Sequence, residues 1–242
     1  MSEQVRVNRN VVFAGVANTT NNVEGNMNPD KRYRAWEFEE TVLDATNQYT
    51  LQLDTNSTIA VGSGGAIFTT HATDNKVATM GLGGVTTLCA QNPVVEFRFQ
   101  LNDVENVAIF AGLTDSADEG AATMPFALSV ATLTSTASDA AGFLFDTDQT
   151  LDYWNIVNVK ANTDAFTQLA STYTPAAATD VVLRVALDTI GKAYYYYNGV
   201  QVGVKANATT AATALIPFFG IKNMSATSHV ATLKYVRLWR DM

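Results

Sequence analysis

An all-β fold, a sandwich or barrel of antiparallel strands, is predicted for this chain of 242 residues, and three observations predict it. Short segments rich in Val, Ile, Phe, Tyr and Thr recur from Lys31 onward, several with strict period-2 alternation. Turn residues separate nearly all of them: Asp54-Thr55-Asn56, Gly62-Ser63-Gly64-Gly65, Thr73-Asp74-Asn75, Asn102-Asp103, Asp148-Gln149 and Asn198-Gly199. No stretch of ten or more residues carries a convincing helical period. A parallel sheet needs helical crossovers, so short strands without helices point to a sandwich or barrel. The absence of a fixed-period repeat counts against a propeller or solenoid.

Residues 1–30 differ from the rest. NRNVVFAGVANTTNNVEGNMNPDK is Asn-rich, with one apolar knot at Val11, Val12 and Phe13. Asn and Gly tolerate turn conformations, so this stretch reads as an extended arm, with a disordered tail as the plain alternative. The knot is the candidate docking segment for a partner, and residues 31–242 form the domain.

In RYRAWEFEE, Tyr33 is opposed to Arg32 and Arg34, while Trp36 and Phe38 are opposed to Glu37 and Glu39, as in a half-buried strand. YTLQLD, GAIFTTH, NKVATMGL, PVVEFRFQL, NVAIFAGLTD, GFLFDTD, YWNIVNVKA and VVLRVALD continue the series, and LIPFFGIK and HVATLKYVRLW end it. The Ala-rich segments Ser116–Leu133 and Ser171–Asp180 have room for a single helical turn. AYYYYNGVQVG reads as a hairpin, because Asn198-Gly199 supplies the positive φ angles of a two-residue turn. Alternation then sends one tyrosine pair inward and the other outward. With Tyr195 and Tyr197 as the outward pair, those rings are candidates for stacking a sugar or covering a neighbouring subunit.

Hydrophobic residues make up 47% of the chain and charged residues only 16%, a composition that builds a core and low-charge packing surfaces. The net charge of −8 argues against phosphate-backbone binding, so no nucleic-acid partner is expected. From Phe99 to Val159 there is no Lys or Arg, while basic residues gather at Lys31, Arg32 and Arg34 and at Lys234, Arg237 and Arg240. Solvated loops explain this, as does head-to-tail complementarity between copies. Cys89 is the one cysteine, so an intrachain disulfide and a cysteine metal cluster are both excluded. MSEQVRVNRN lacks the apolar core of a signal peptide and no run is long enough to span a membrane, so synthesis in a reducing cytoplasm is expected.

WEFEE, GAIFTTHATDNKVATMGL, VVEFRFQLNDVENVAIFAGLTD, AGFLFDTD, VVLRVALDTIGKAYYYYNGVQVG and VATLKYVRLWRDM together resemble the concanavalin A-like (laminin-G-like) jelly-roll domains of tailed-phage virion proteins. The resemblance covers roughly Tyr33 to Asp241 and implies an all-β, two-sheet antiparallel jelly-roll sandwich. It implies a capsid decoration, cement or head-fibre subunit bound to major capsid protein. A homo-oligomer is implied with it, a trimer being favoured, displayed on the virion after synthesis in the host cytoplasm. Adhesins recognising a host glycan are relatives of the same kind.

Enzymes of this fold resemble endo-glucanases with a Glu-x-Asp-x-Glu strand, whose alternation puts acid and nucleophile on one face. No such triplet occurs; Glu37-Phe38-Glu39 is the nearest, and reads as the charged outer face of a strand. His71 and His229 sit in turn-like contexts and read as polar loop residues rather than zinc ligands or a catalytic relay. No catalytic residue and no cofactor is assigned. Asp146, Asp148 and Asp152, and Asp115, Asp118 and Glu119, supply oxygens for a structural calcium ion, although neither set has a known calcium-loop spacing. Trp36, Trp154 and Trp239 lie in strand patterns where burial is the default. Tyr153 beside Trp154 must send one ring outward, which makes that pair a candidate glycan contact.

Overall fold

The computed structural model describes residues 31–38, 42–45, 48–82, 86–115 and 123–241. The arm with Val11, Val12 and Phe13, and with it Asp118 and Glu119, lies outside the described residues. The strands run in order β1 (Lys31–Trp36), β2 (Thr50–Leu53), β3 (Thr58–Gly62), β4 (Gly65–Thr69), β5 (Val77–Gly81), β6 (Val94–Leu101) and β7 (Val107–Thr114). They continue with β8 (Phe126–Ser129), β9 (Thr132–Ser135), β10 (Ala140–Asp146), β11 (Asn155–Lys160), β12 (Thr163–Gln168) and β13 (Asp180–Leu187). The last four are β14 (Ala193–Tyr197), β15 (Val200–Lys205), β16 (Ile216–Asn223) and β17 (Val230–Asp241). A single 3₁₀ turn at Cys89–Gln91 is the one helical element among the described residues.

The strands build two large antiparallel sheets. Sheet A has the order β15-β14-β13-β6-β17-β4-β3, with β1 also paired to β17; sheet B has the order β12-β11-β10-β7-β16-β5-β2. The inner face of sheet A contributes Val95, Phe97, Phe99, Leu183, Val185, Tyr195, Leu233 and Val236 to the main core. Sheet B meets them with Ile109, Ala111, Leu113, Phe143, Phe145, Ile156, Phe219 and Ile221. Each set is one parity of its strands, as the period-2 pattern requires, except on β17, where the register shifts between Leu233 and Tyr235. Phe219 packs on Phe68, Phe97 and Phe99 at ring separations of 5.0, 6.4 and 5.1 Å, tying the two layers together.

Sheet B is apolar on its outer face as well. Phe110, Leu144, Val157, Val159 and Phe218 form a second core there, covered by Phe126 and Leu128 of a hairpin made by β8 and β9 and by Met124 just before it. This explains why VAIFAGL reads as an unbroken apolar run: every residue of β7 is buried. Gly112 and Gly142 face each other across β7 and β10, and the Phe110 ring lies over them; a Cβ at Gly142 would sit 2.4 Å from Phe110 Cε2. The helical turn for which Ser116–Leu133 has room is not what its described part forms. Phe126–Ser129 is strand β8, because burying Phe126 and Leu128 on the sheet outweighs the helical bias of its alanines.

The β14–β15 hairpin follows expectation in its turn. Asn198 and Gly199 have φ values of 46° and 83°, and Asn198 Oδ1 accepts the Val182 N–H at 2.9 Å. Replacing Gly199 with Val is expected to cost about 1–3 kcal/mol, since a β-branched residue resists positive φ. Urea denaturation checks this, and an unchanged midpoint would contradict the turn geometry.

Candidate functional site

The outer face of sheet A carries a connected set of charged and polar side chains. Its middle strands offer the opposite parity from the core: Glu96 and Arg98 on β6, Asp180 and Arg184 on β13, Tyr194 and Tyr196 on β14. On β17 the register shifts between Leu233 and Tyr235. That one-residue bulge brings both Lys234 and Tyr235 to the outer face.

These side chains form a connected ladder. Arg184 donates from Nε and Nη2 to Glu96 Oε2 at 2.9 and 2.7 Å, and the Tyr235 hydroxyl donates to Glu96 Oε1 at 2.9 Å. Glu96 is wholly buried under them. Burial raises the Tyr235 phenol well above its ordinary pKa, and the negative charge of Glu96 adds to the effect, so the group stays a donor. Arg98 donates from Nε and Nη2 to Asp180 Oδ2 at 2.9 and 2.5 Å, while the Lys234 ammonium lies 2.6 Å from Asp180 Oδ1. Burial pushes the Asp180 carboxyl up, but the bonds from Lys234 and Arg98 outweigh it and hold the group below the usual range. Cations also cover the outward tyrosines: Lys192 over Tyr194 at 4.8 Å, Arg184 over Tyr196 at 5.7 Å and Arg237 over Tyr235 at 4.0 Å.

A cleft of about 450 Å³ opens at one end of this ladder, lined by Glu37, Phe38, Arg98, Lys234, Tyr235, Arg237 and the β3–β4 turn. Its origin is topological. The first half of β17, Val230 to Leu233, pairs with β4, and the second half, from Val236, pairs with β1. The gap between those two partners falls at the bulge, and the cleft fills it.

The sequence-derived glycan candidates sit elsewhere. Trp154 is fully buried against Phe99, Phe143 and Phe145, with ring separations of 6.1, 6.3 and 5.6 Å. Tyr195 is fully buried too, with its hydroxyl donating to Val157 O at 3.2 Å and its ring edge-on to Phe143. Both therefore belong to the core and present no face to a sugar. The expected orientation of the tyrosine run is thus reversed: Tyr194 and Tyr196 face out, because Tyr195 is the register partner of the inward Val185. Tyr197 shares the inward parity of Tyr195 and is half-buried, edge-on to Tyr173 at 5.4 Å. Tyr153 is half-buried beside the Trp154 it flanks.

The acidic candidates are used by the backbone. Asp146 is buried on the outer face of sheet B, and its carboxylate accepts the N–H groups of Leu128 and Asp148 at 3.0 Å each. Burial raises its pKa, with those two bonds opposing the shift. Asp115 accepts N–H groups from Ser138 and Asp139 at 3.2 and 3.1 Å. Among the described residues no three His, Cys, Asp or Glu side chains converge as metal ligands.

Glu37 does lie outside the sandwich, 3.1 Å from Arg237 Nη2, but β1 ends at Trp36 and Phe38 takes a φ of 52°, so the alternation stops there. His71 fits a polar loop, with Nδ1 2.9 Å from Thr73 Oγ1. His229 does not, being 1% exposed with Nε2 3.4 Å from Ser225 Oγ and Nδ1 4.0 Å from Asp103 Oδ2. Ser225 Oγ is also bonded within its own turn, by Asn223 Oδ1 at 3.3 Å and the Thr227 N–H at 3.1 Å. Ser225 is thus tied into its own turn, and His229 is buried beside it.

No protein-family model matches the sequence, and no curated protein sequence matches it. Solved structures do match in fold. Peanut lectin superposes with a TM-score of 0.59 at 12% identity, over 87% of this chain and 97% of that one. The Emp47p carbohydrate recognition domain gives 0.59 at 8% identity, over 90% and 100%. The laminarinase catalytic domain from Thermotoga maritima MSB8 gives 0.59 at 10% identity, over 88% and 99%. The chain is thus an all-β, concanavalin A-like jelly-roll sandwich. Its structural neighbours are lectin and glucanase domains of that fold, as the sequence resemblance implied at the level of fold.

Proposed function

We propose that the protein is a non-enzymatic structural protein of a tailed-phage virion, a decoration or cement subunit seated on the lattice of major capsid protein. The observation that carries the non-enzymatic reading is the closure of the outer face of sheet B. The β8–β9 hairpin covers it with apolar side chains, and its buried carboxylate, Asp146, spends both oxygens on backbone N–H groups. A glycosidase needs two carboxyl groups facing an open groove, and the open cleft on sheet A is lined by one, Glu37. A sandwich with only 16% charged residues suits packing in an assembly, and residues 1–30 would supply the attachment through Val11, Val12 and Phe13. Particles purified from infected cells are expected to carry the chain in fixed ratio to capsid protein. A version beginning at Lys31 is expected to fold yet leave the particles bare. Purified particles lacking the protein would overturn the virion reading, and equal coating by the shortened chain would overturn the role of the arm.

A second reading, a carbohydrate-binding adhesin recognising a host glycan, is favoured by the cleft beside Arg237 and by the lectin domains among the structural neighbours. It is compatible with display on a particle.

A further inference from the structure

We propose that the cleft at the β17 bulge binds an acidic sugar, a saccharide unit carrying a carboxylate or sulfate group. This inference rests on the adhesin reading and gives it a site and a ligand class. Its volume of about 450 Å³ falls within the roughly 300–1,000 Å³ of small-molecule sites. Three cations, Arg98, Lys234 and Arg237, line it with Glu37, and with Asp180 counted as the partner of Arg98 and Lys234 one cation remains in excess, in a chain whose net charge is −8. The local sign is therefore opposite to that of the whole molecule.

The donors are only partly used. Arg98 gives Nε and Nη2 to Asp180, which leaves Nη1, and the Lys234 ammonium lies 2.6 Å from the other oxygen of that carboxylate with N–H groups to spare. Arg237 reaches Glu37 through Nη2, while its Nε is buried without an acceptor. The N–H groups left over on Arg98 and Lys234 can still take acceptors. A carboxylate or sulfate oxygen is such an acceptor, and charge-assisted bonds to guanidinium are the strong kind.

The aromatic groups argue against a neutral sugar. Stacking needs a free ring face, but the Arg237 guanidinium covers Tyr235 at 4.0 Å and Phe38 is 3% exposed. Glu37 argues against a bare anion, because its carboxylate accepts hydrogen bonds and so suits the hydroxyls of a sugar beside the charged group. The turn supplies the room. Gly64 has a φ of 98° and open space where a side chain would stand, while β4 is pressed against β17 so closely that a Cβ at Gly65 would lie 2.2 Å from Leu233 O.

Calorimetric titration of the full chain with oligogalacturonate, a sulfated galactose oligosaccharide and neutral oligogalactose tests this, with inorganic sulfate and an oligo-aspartate peptide as comparisons. Binding by at least one acidic oligosaccharide is expected, about tenfold or more tighter than the neutral one, and which of the two it is separates carboxylate from sulfate. Arg237→Gln and, separately, Lys234→Met are expected to weaken it about tenfold at unchanged thermal midpoint. Unaltered binding by both folded variants, or equal affinity for the neutral oligosaccharide, overturns the cleft while leaving the adhesin reading intact. Sulfate or oligo-aspartate binding as tightly as any saccharide overturns the sugar assignment. Failure of this panel, together with failure on a broad glycan array, removes both the inference and the adhesin reading.

Discussion

Replacing Glu96 with Ala is expected to lower the unfolding free energy by about 3–5 kcal/mol, the range found when one member of a buried ion pair is removed. Glu96 has no exposed surface, and its two oxygens take bonds from Arg184 and from the Tyr235 hydroxyl. Alanine leaves the Arg184 guanidinium, itself only 12% exposed, without its counter-charge. It also leaves the phenol without an acceptor. Most of the loss is the cost of those abandoned groups rather than the net worth of the pair. The double variant Glu96→Leu, Arg184→Met is therefore expected to be more stable than Glu96→Ala alone, because no charge remains stranded. Urea denaturation of the two variants makes the comparison. A loss below about 1 kcal/mol for Glu96→Ala would mean that the pair behaves as a solvated surface bridge. The effect reaches the cleft as well, since the Glu96 bond fixes Tyr235 and Arg237 lies on the Tyr235 ring.

How far the sequence reveals this protein depends on the range of the interaction concerned. Alternation within one strand is local, so the sandwich, the Asn198-Gly199 turn and the burial of Trp36 and Trp239 were all readable. Alternation has no sign, however. Four tyrosines in a row give no clue to which pair faces the core, and only their pairing with Leu183 and Val185 of β13 decides it. The polar parity of Asp180 and Arg184 in that neighbouring strand was the available signal. The ladder around Glu96 was out of reach, because its partners lie 88 and 139 residues away. The cleft was equally hidden. It arises where β17 changes partner from β4 to β1, a fact of sheet order that no single strand records. The second core of sheet B left a trace in the unbroken apolar run of β7, which half-buried strands do not show.

Trp154→Ala is expected to cost about 3–5 kcal/mol, as large aromatic truncations in well-packed cores do. The indole touches Phe99 of sheet A and Phe143 and Phe145 of sheet B, so it bridges the layers, and its removal opens a cavity between them. Its backbone is held on both sides, donating to Tyr173 O at 3.2 Å and accepting the Leu169 N–H at 2.8 Å, so the chain has little freedom to collapse into the space. The indole Nε1 is buried without a hydrogen-bond partner. Trp154→Phe removes that unpaired donor while keeping an aromatic ring, and a loss below about 1.5 kcal/mol is expected for a swap that keeps most of the volume. The pair of variants separates packing from ligand stacking at this position. If the ring serves the core, both folded variants keep whatever saccharide affinity the full chain has, and only stability divides them. A Trp154→Ala protein as stable as the wild type, with saccharide binding lost, would move the ring out of the core and return it to the surface.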